Sequence, residues 1–303
     1  MMLLNVVLPI FLLIGLGRAL ASSALLDKPG WSAIERLGLY VLFPALIVGV
    51  LASAKFSPVA LVLIGILVAA QVLMALIAMA AHGWPGMAGP TIASTIQSNV
   101  RWNTFIGLSL AQALFGNDGL ALMAVASAGM IPTANLISIS AFEAYGGSNS
   151  SVRRTILSVI MNPFIIACVV GIALGLAGLK LPESVRGSLD ILSRSAIAIG
   201  LLTAGAAIDF SSLKSGGGRL LFWSLVRLLG LPLLVLGLTY AVGLSGLARN
   251  IAIVAAITPT AVNGVMLARQ MKGDAEFSAN LTAVQTLLSL VTIPLLLWLL
   301  GAV

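Results

Sequence analysis

An all-α polytopic membrane protein is the fold class this sequence predicts, and three observations predict it. Apolar residues make up 60% of the 303-residue chain and charged residues 8%; the mean hydropathy is +1.13, a composition whose surface water cannot solvate. The apolar residues come in ten runs, each long enough at about 1.5 Å per residue to cross a hydrocarbon core of about 30 Å as a helix. Within the runs they are continuous and do not alternate with period two, which argues against a membrane β-barrel.

The predicted spans are 3–21, 34–53, 58–81, 90–115, 119–144, 155–178, 187–208, 217–243, 248–270 and 276–301. No gap between them is long enough for a soluble domain. The longest carries Gly146, Gly147, Ser148, Asn149, Ser150 and Ser151, the composition of a flexible linker. It divides the chain into a first half, 1–145, a linker, 146–154, and a second half, 155–303. The first span has no basic residues before it and Arg18 interrupts its end, so it is expected to stay in the mature protein despite the Ala19-Leu20-Ala21 sequence.

The formal charge of +7 does not point to nucleic acid, because the basic residues are scattered between apolar runs and form no stripe. Topology accounts for them. With the N-terminus outside, the inner loops hold Arg18, Lys28, Arg36, Arg153, Arg154, Lys214, Arg219, Arg269 and Lys272, against Lys55, Lys180, Arg186 and Arg249 outside. That bias places both termini on the non-cytoplasmic face of a bacterial inner membrane. The single cysteine, Cys168, lies in an apolar run and offers neither a disulfide nor a metal pair.

The two halves repeat. Pro9-Ile10-Phe11 falls on Pro163-Phe164-Ile165 at an offset of 154, and Lys55-Phe56-Ser57 on Asp209-Phe210-Ser211 in the same register. Further on, the run from Gly107 to Gln112 meets that from Gly264 to Arg269 at an offset of 157. Chance likeness between apolar runs is the competing explanation. Five spans per half is an odd number, so a true repeat inserts its second copy upside down and places a site near mid-membrane where the halves meet.

Spans four and nine are interrupted by residues a lipid-facing helix does not choose. Span four contains Gln97, Ser98, Asn99, Arg101, Trp102, Asn103 and Thr104; span nine contains Thr258, Pro259, Thr260, Asn263 and Gly264. Pro259 and Gly264 are the helix-break residues expected in span nine. The freed backbone groups need a neighbour, water or ligand, and half-helix N-termini at the gap favour an anion. Arg101, a charge near the centre of a span, needs a partner or a cavity; its guanidinium suits a carboxylate or bridges freed carbonyls. Asn103, Thr104, Thr258, Thr260 and Asn263 are candidate lining residues. Asn135 in span five and Gln285 in span ten reach towards the same place. Glu143 and Asp209, near the ends of spans five and seven, are the candidate coupling groups; Asp190 and Arg194, one turn apart, read as a local ion pair. Glu35 reads as interfacial. Trp31, Trp84, Trp223 and Trp298 read as headgroup anchors, and Trp102 as a wall of the break, a ring stacked on Arg101 or plain packing.

The motif Arg101-Trp102-Asn103-Thr104-Phe105-Ile106-Gly107 and the pair Thr258-Pro259 resemble the crossover segments of the auxin efflux carrier family, which includes the plant PIN-type carriers and bacterial malonate or malate permease-like proteins. The resemblance implies two inverted five-helix repeats with crossed, broken helices four and nine. It further implies a scaffold of helices one, two, six and seven, a moving unit of the rest, and a homodimer joined through the scaffold. Trp102 stands where the plant carriers have a proline, so small carboxylates fit better than auxin. The expectation is a secondary transporter of mono- or dicarboxylates working by alternating access, with no cofactor and with coupling to protons or sodium open. Its partners are the substrate and the bilayer. Three other readings are a sodium-coupled symporter resembling bile-acid carriers, a non-translocating sensor of the same fold, and an intramembrane hydrolase, which the lone His82 and the absence of HExxH disfavour.

Overall fold

The structure is a computed structural model and describes residues 2–23, 25–54, 57–146, 157, 161–179, 181–208 and 217–301. All regular structure among these residues is helical. Helix α1 runs Met2–Ser22. Helix α2, Lys28–Leu37, starts on Asp27, whose carboxylate accepts from the Gly30 amide at 2.7 Å, the usual way to satisfy a first-turn donor. A π-helical turn, Gly38–Leu42, joins it to α3, Phe43–Ala52, so the whole is one apolar stretch. Helix α4 is Val59–Ala78 and α5 is Gly89–Val100.

Helix α6, Thr104–Tyr145, has 42 residues. Straight, it would extend about 63 Å, twice the hydrocarbon thickness. It is not straight, because Gly116 breaks it with φ 61° and ψ −149°, a conformation open only to glycine. The gap expected between residues 115 and 119 is this kink.

The second half begins with α7, Pro163–Leu176, capped by the Asn162 side chain, followed by α8, Glu183–Ala206. Helix α9, Gly217–Leu225, passes through a second π-helical turn, Val226–Gly230, into α10, Leu231–Val242. Helices α11, Gly246–Ile257, α12, Asn263–Gln270, and α13, Ala275–Leu299, complete the chain. Among the described residues, seven helical stretches are long and apolar enough to cross a membrane, one of them the 57-residue run Gly89–Tyr145; α7 and α11 are shorter apolar helices. The linker 146–154 falls, but for Gly146, outside the described residues, as do Asp209 and most of the register that pairs Lys55-Phe56-Ser57 with residues 209–211.

Burial is the reverse of a water-soluble fold. Leu12, Leu61, Val169 and Ile191 face outward, while Gln71, Gln97, Asn99, Arg101 and Arg227 are buried. Lipid solvates the outside, and the polar side chains find partners within. Two packing groups are visible. In one, α1 crosses α8 so closely that a Cβ on Gly17 would collide with the Leu202 carbonyl and one on Gly205 with the Ile14 carbonyl; α3 lies against α7 and α8. In the other, α4, α5 and α11 pack on α6, α10 on α11, and α9 and α5 on α13. Small residues at the first crossing let two backbones touch, the means by which helices associate in lipid.

Trp223 corrects a sequence expectation. It is buried between Trp84 and Phe222, where its ring contributes to a core cluster and not to a headgroup belt.

Candidate functional site

Helix α5 stops at Val100 and α11 stops at Ile257, in each case because the next residue turns extended: Arg101 has φ −75° and ψ 155°, Thr258 φ −70° and ψ 146°. The two breaks touch. The Asn103 amide donates to the Pro259 carbonyl at 2.8 Å. The reciprocal bond cannot form because proline has no N–H.

Breaking two helices inside the membrane strands carbonyls and amides, and a set of long polar side chains takes them up. Gln71 on α4 donates to the Val100 carbonyl at 3.0 Å and to that of Met130 at 3.2 Å. Arg227, in the π-turn between α9 and α10, donates to the Arg101 carbonyl at 3.2 and 3.1 Å and to the Ala256 carbonyl at 2.8 Å. Gln285 on α13 accepts from the Thr260 amide at 2.9 Å, and Gln97 on α5 donates to the Gly264 carbonyl at 2.8 Å. Asn103 caps α6 by accepting from the Phe105 and Ile106 amides, both at 3.1 Å. That N-terminus is therefore already satisfied and does not offer its first amides to an anion. Gln71 and Arg227 stand 156 positions apart, and so do the carbonyls they hold, Val100 and Ala256.

Arg101 is 8% exposed and Arg227 0%. Both guanidinium groups bond only neutral oxygens among the described residues. Arg101 donates to the Asn135 side-chain oxygen at 2.7 Å and to that of Asn263 at 3.4 Å, while its Nε is buried without a partner. Two positive charges therefore sit at the crossing with no carboxylate to neutralise them, an electrostatic demand for an anion.

The candidate residues separate into groups. Arg101, Asn135 and Asn263 are joined by hydrogen bonds, and Thr260 is joined to Gln285, whose Nε2 is buried without a partner. The Thr258 hydroxyl donates back to Ala255, which spends it on the end of α11. Pro259 lies in the break, whereas Gly264 lies one residue inside α12. Its value is closeness: a Cβ there would come 3.1 Å from Gln97 Nε2 and 3.3 Å from Arg101 Cδ. Trp102 packs its ring on Gly107 in the core and is not stacked on Arg101. Glu143 is in the last turn of α6, eight residues beyond Asn135, about 12 Å further along the helix, and lines neither of the spaces described next. Arg227 and Gln71 went unnoticed in the sequence. The signal was there, a charge and an amide inside apolar runs.

Among the described residues, a large space lies to one side and a small one is lined in part by residues of the crossing. A cavity of about 1180 Å³ is walled by Leu46 and Val50 of α3, Asn117 and Asp118 after the Gly116 kink, and Arg186, Asp190 and Arg194 of α8. Asp190 and Arg194 are exposed in it, and no ion pair joins them among the described residues, contrary to the sequence expectation. A second space of about 100 Å³ is lined by Glu35, Phe43, Asn103, Thr104, Thr203 and Asn263 among others. Along α8, Ala198 faces the large space and Ile199 the small one. The Phe43 and Phe105 rings, 4.4 Å apart, lie at this division.

Parts of the chain are similar to known proteins. A family model described as membrane transport protein matches residues 148–297. This match ties the second half of the chain to the auxin efflux carrier family. The matched region holds Arg227, the break from Thr258 to Val262, and Gln285. An uncharacterized transporter of Methanothermobacter thermautotrophicus is 25% identical over 295 residues, 95% of each chain. Another, of Methanocaldococcus jannaschii, is 24% identical over 204 residues, 65% of this chain and 64% of its own. The chain is thus similar to membrane transport proteins, and the break that carries Arg101 lies in the half that precedes the family match.

Proposed function

We propose that the protein is a secondary transporter of small carboxylates, malonate or malate among them, working by alternating access at the crossing of α5–α6 with α11–α12. One observation carries the reading: Arg101 is buried at the crossing and bonded only to neutral amide oxygens. A carboxylate is the ligand such a guanidinium lacks, and the long 3.4 Å bond to Asn263 is the weaker contact to displace. Asn103, Thr104 and Asn263, on the small space, bond the remainder of the substrate.

The equal spacing of the Gln71–Val100 and Arg227–Ala256 bonds supports two structurally equivalent halves, 1–145 and 155–303. With α6 divided at Gly116 each half has five spans, and the second is inverted. The group containing α1, the continuous α2–α3 stretch, α7 and α8 is then the scaffold, through which the protein dimerises, and the remaining helices move. The distribution of Lys and Arg puts both termini, and the mouth of the 1180 Å³ cavity, on the outer face.

The test is a thermal-shift screen of malonate, malate and acetate on wild type and Arg101→Ala, followed by counterflow in proteoliposomes. Stabilisation by an acid that vanishes in the variant, with exchange of labelled acid by wild type, is the expected result. Undiminished stabilisation of Arg101→Ala removes the guanidinium from the site.

A further inference from the structure

The small space beside the crossing places a carboxylate where an anion is to bind. Its lining comes from both packing groups: Glu35, Phe43 and Thr203 from α2, α3 and α8, and Asn103, Thr104 and Asn263 from the broken helices. Asn263 is also the side chain that holds Arg101. Arg101 itself does not line the space, but an acid that displaces Asn263 from the guanidinium and bonds Asn103 and Thr104 brings negative charge against a lining that holds Glu35. Like charges that share a site disfavour each other's ionisation.

We infer that Glu35 is the coupling group, the carboxylate that takes up a small cation, a proton or sodium, as the anion binds at Arg101. The inference rests on the carboxylate reading above. Linkage makes the effect reciprocal, since an anion that favours the cation-loaded Glu35 is itself held more tightly when that cation is abundant. Because the lining is shared between the two packing groups, a change in their mutual position remakes the cation site, which is how co-transport ties one ion to one substrate.

Other charged groups do not take this role. The elements packed on α2 carry Arg36 on α2 itself and Glu183, Arg186, Asp190 and Arg194 on α8; Arg269 closes α12. None of these lines the small space. Glu143 is remote from it, and Asp209 lies outside the described residues.

The experiment measures malonate affinity by thermal shift for wild type, Glu35→Gln and Arg101→Ala in detergent. The pH range is about 6.5 to 8.5, where malonate stays largely dianionic, in sodium or in choline. Glu35 is exposed on a helix surface, so glutamine is accommodated there without refolding. For a proton, wild-type affinity is expected to rise up to tenfold per unit fall in pH, the limit for one linked proton, while Glu35→Gln binds tightly at every pH. For sodium, wild-type affinity is expected to fall several-fold in choline, and Glu35→Gln to be indifferent to the exchange. Wild-type binding that ignores both cations, or a cation dependence that Glu35→Gln keeps, overturns the assignment of Glu35 and leaves the carboxylate reading standing. An acid effect that is absent in wild type, or intact in Arg101→Ala, overturns both.

Discussion

Removing the Arg227 side chain should unlock the crossing, and the cost can be worked out from its bonds. In an unbroken helix the Arg101 carbonyl would accept from the Phe105 amide and the Ala256 carbonyl from that of Thr260. Here those amides are given to Asn103 and Gln285, so Arg227 is the donor that remains for both carbonyls. Arg227→Met keeps the length of the side chain and removes its three contacts. Hydrogen bonds between membrane helices average about 0.6 kcal/mol each, which sets a lower bound of about 2 kcal/mol. Two carbonyls orphaned in a buried site at about 1–3 kcal/mol apiece set an upper bound of about 6 kcal/mol. Arg227→Gln, which copies the Gln71 side chain 156 positions earlier, can serve one carbonyl and should lose about half as much. Unfolding by SDS in mixed micelles measures the difference. A loss below about 0.5 kcal/mol for Arg227→Met, or equal losses for the two variants, would refute the account of Arg227 as a splint across both breaks.

Four further outcomes follow from the same geometry. Gly205→Leu should separate α1 from α8, because a Cβ at Gly205 collides with the Ile14 carbonyl, and overpacking of this kind costs about 1–3 kcal/mol; the melting temperature in detergent reads it. Gln285→Leu should cost about 1–3 kcal/mol by leaving the Thr260 amide without an acceptor, measured by the same SDS titration. Ala198→Cys in a Cys168→Ser background should react with a charged thiosulfonate reagent from the outer face, since Ala198 lines the large cavity, whereas the buried Cys168 of the unaltered chain should not. Asn135→Leu should weaken malonate stabilisation at least several-fold, because it removes the 2.7 Å bond that aims the Arg101 guanidinium.

Much of this was legible in the sequence because the membrane imposes it. Lipid cannot hydrogen-bond a backbone, so continuous apolar runs are helices and a polar interruption such as Gln97 to Thr104 is a place where protein groups meet. The breaks at Arg101 and Pro259, the kink after residue 115 and the convergence of Arg101, Asn135 and Asn263 follow from that rule. Two roles needed the packed structure. Gly264 serves close packing one residue inside α12, and Trp102 takes the plain packing that its place left open, because a sequence does not say which neighbour touches which face. The structure gives Gly264 to Gln97 and Trp102 to Gly107.

What the amino-acid order alone determined is which stretches are apolar helices and where those helices fail, because solvation by lipid and the chemistry of proline, glycine and charge act locally. What only tertiary structure decided is who repairs the failures. Arg227, Gln71, Gln97 and Gln285 lie far along the chain from the carbonyls and amides they satisfy, and Glu35 meets Asn263 across a space that two packing groups enclose together. Such pairings depend on how helices cross, a property of the whole packed assembly that no local rule contains.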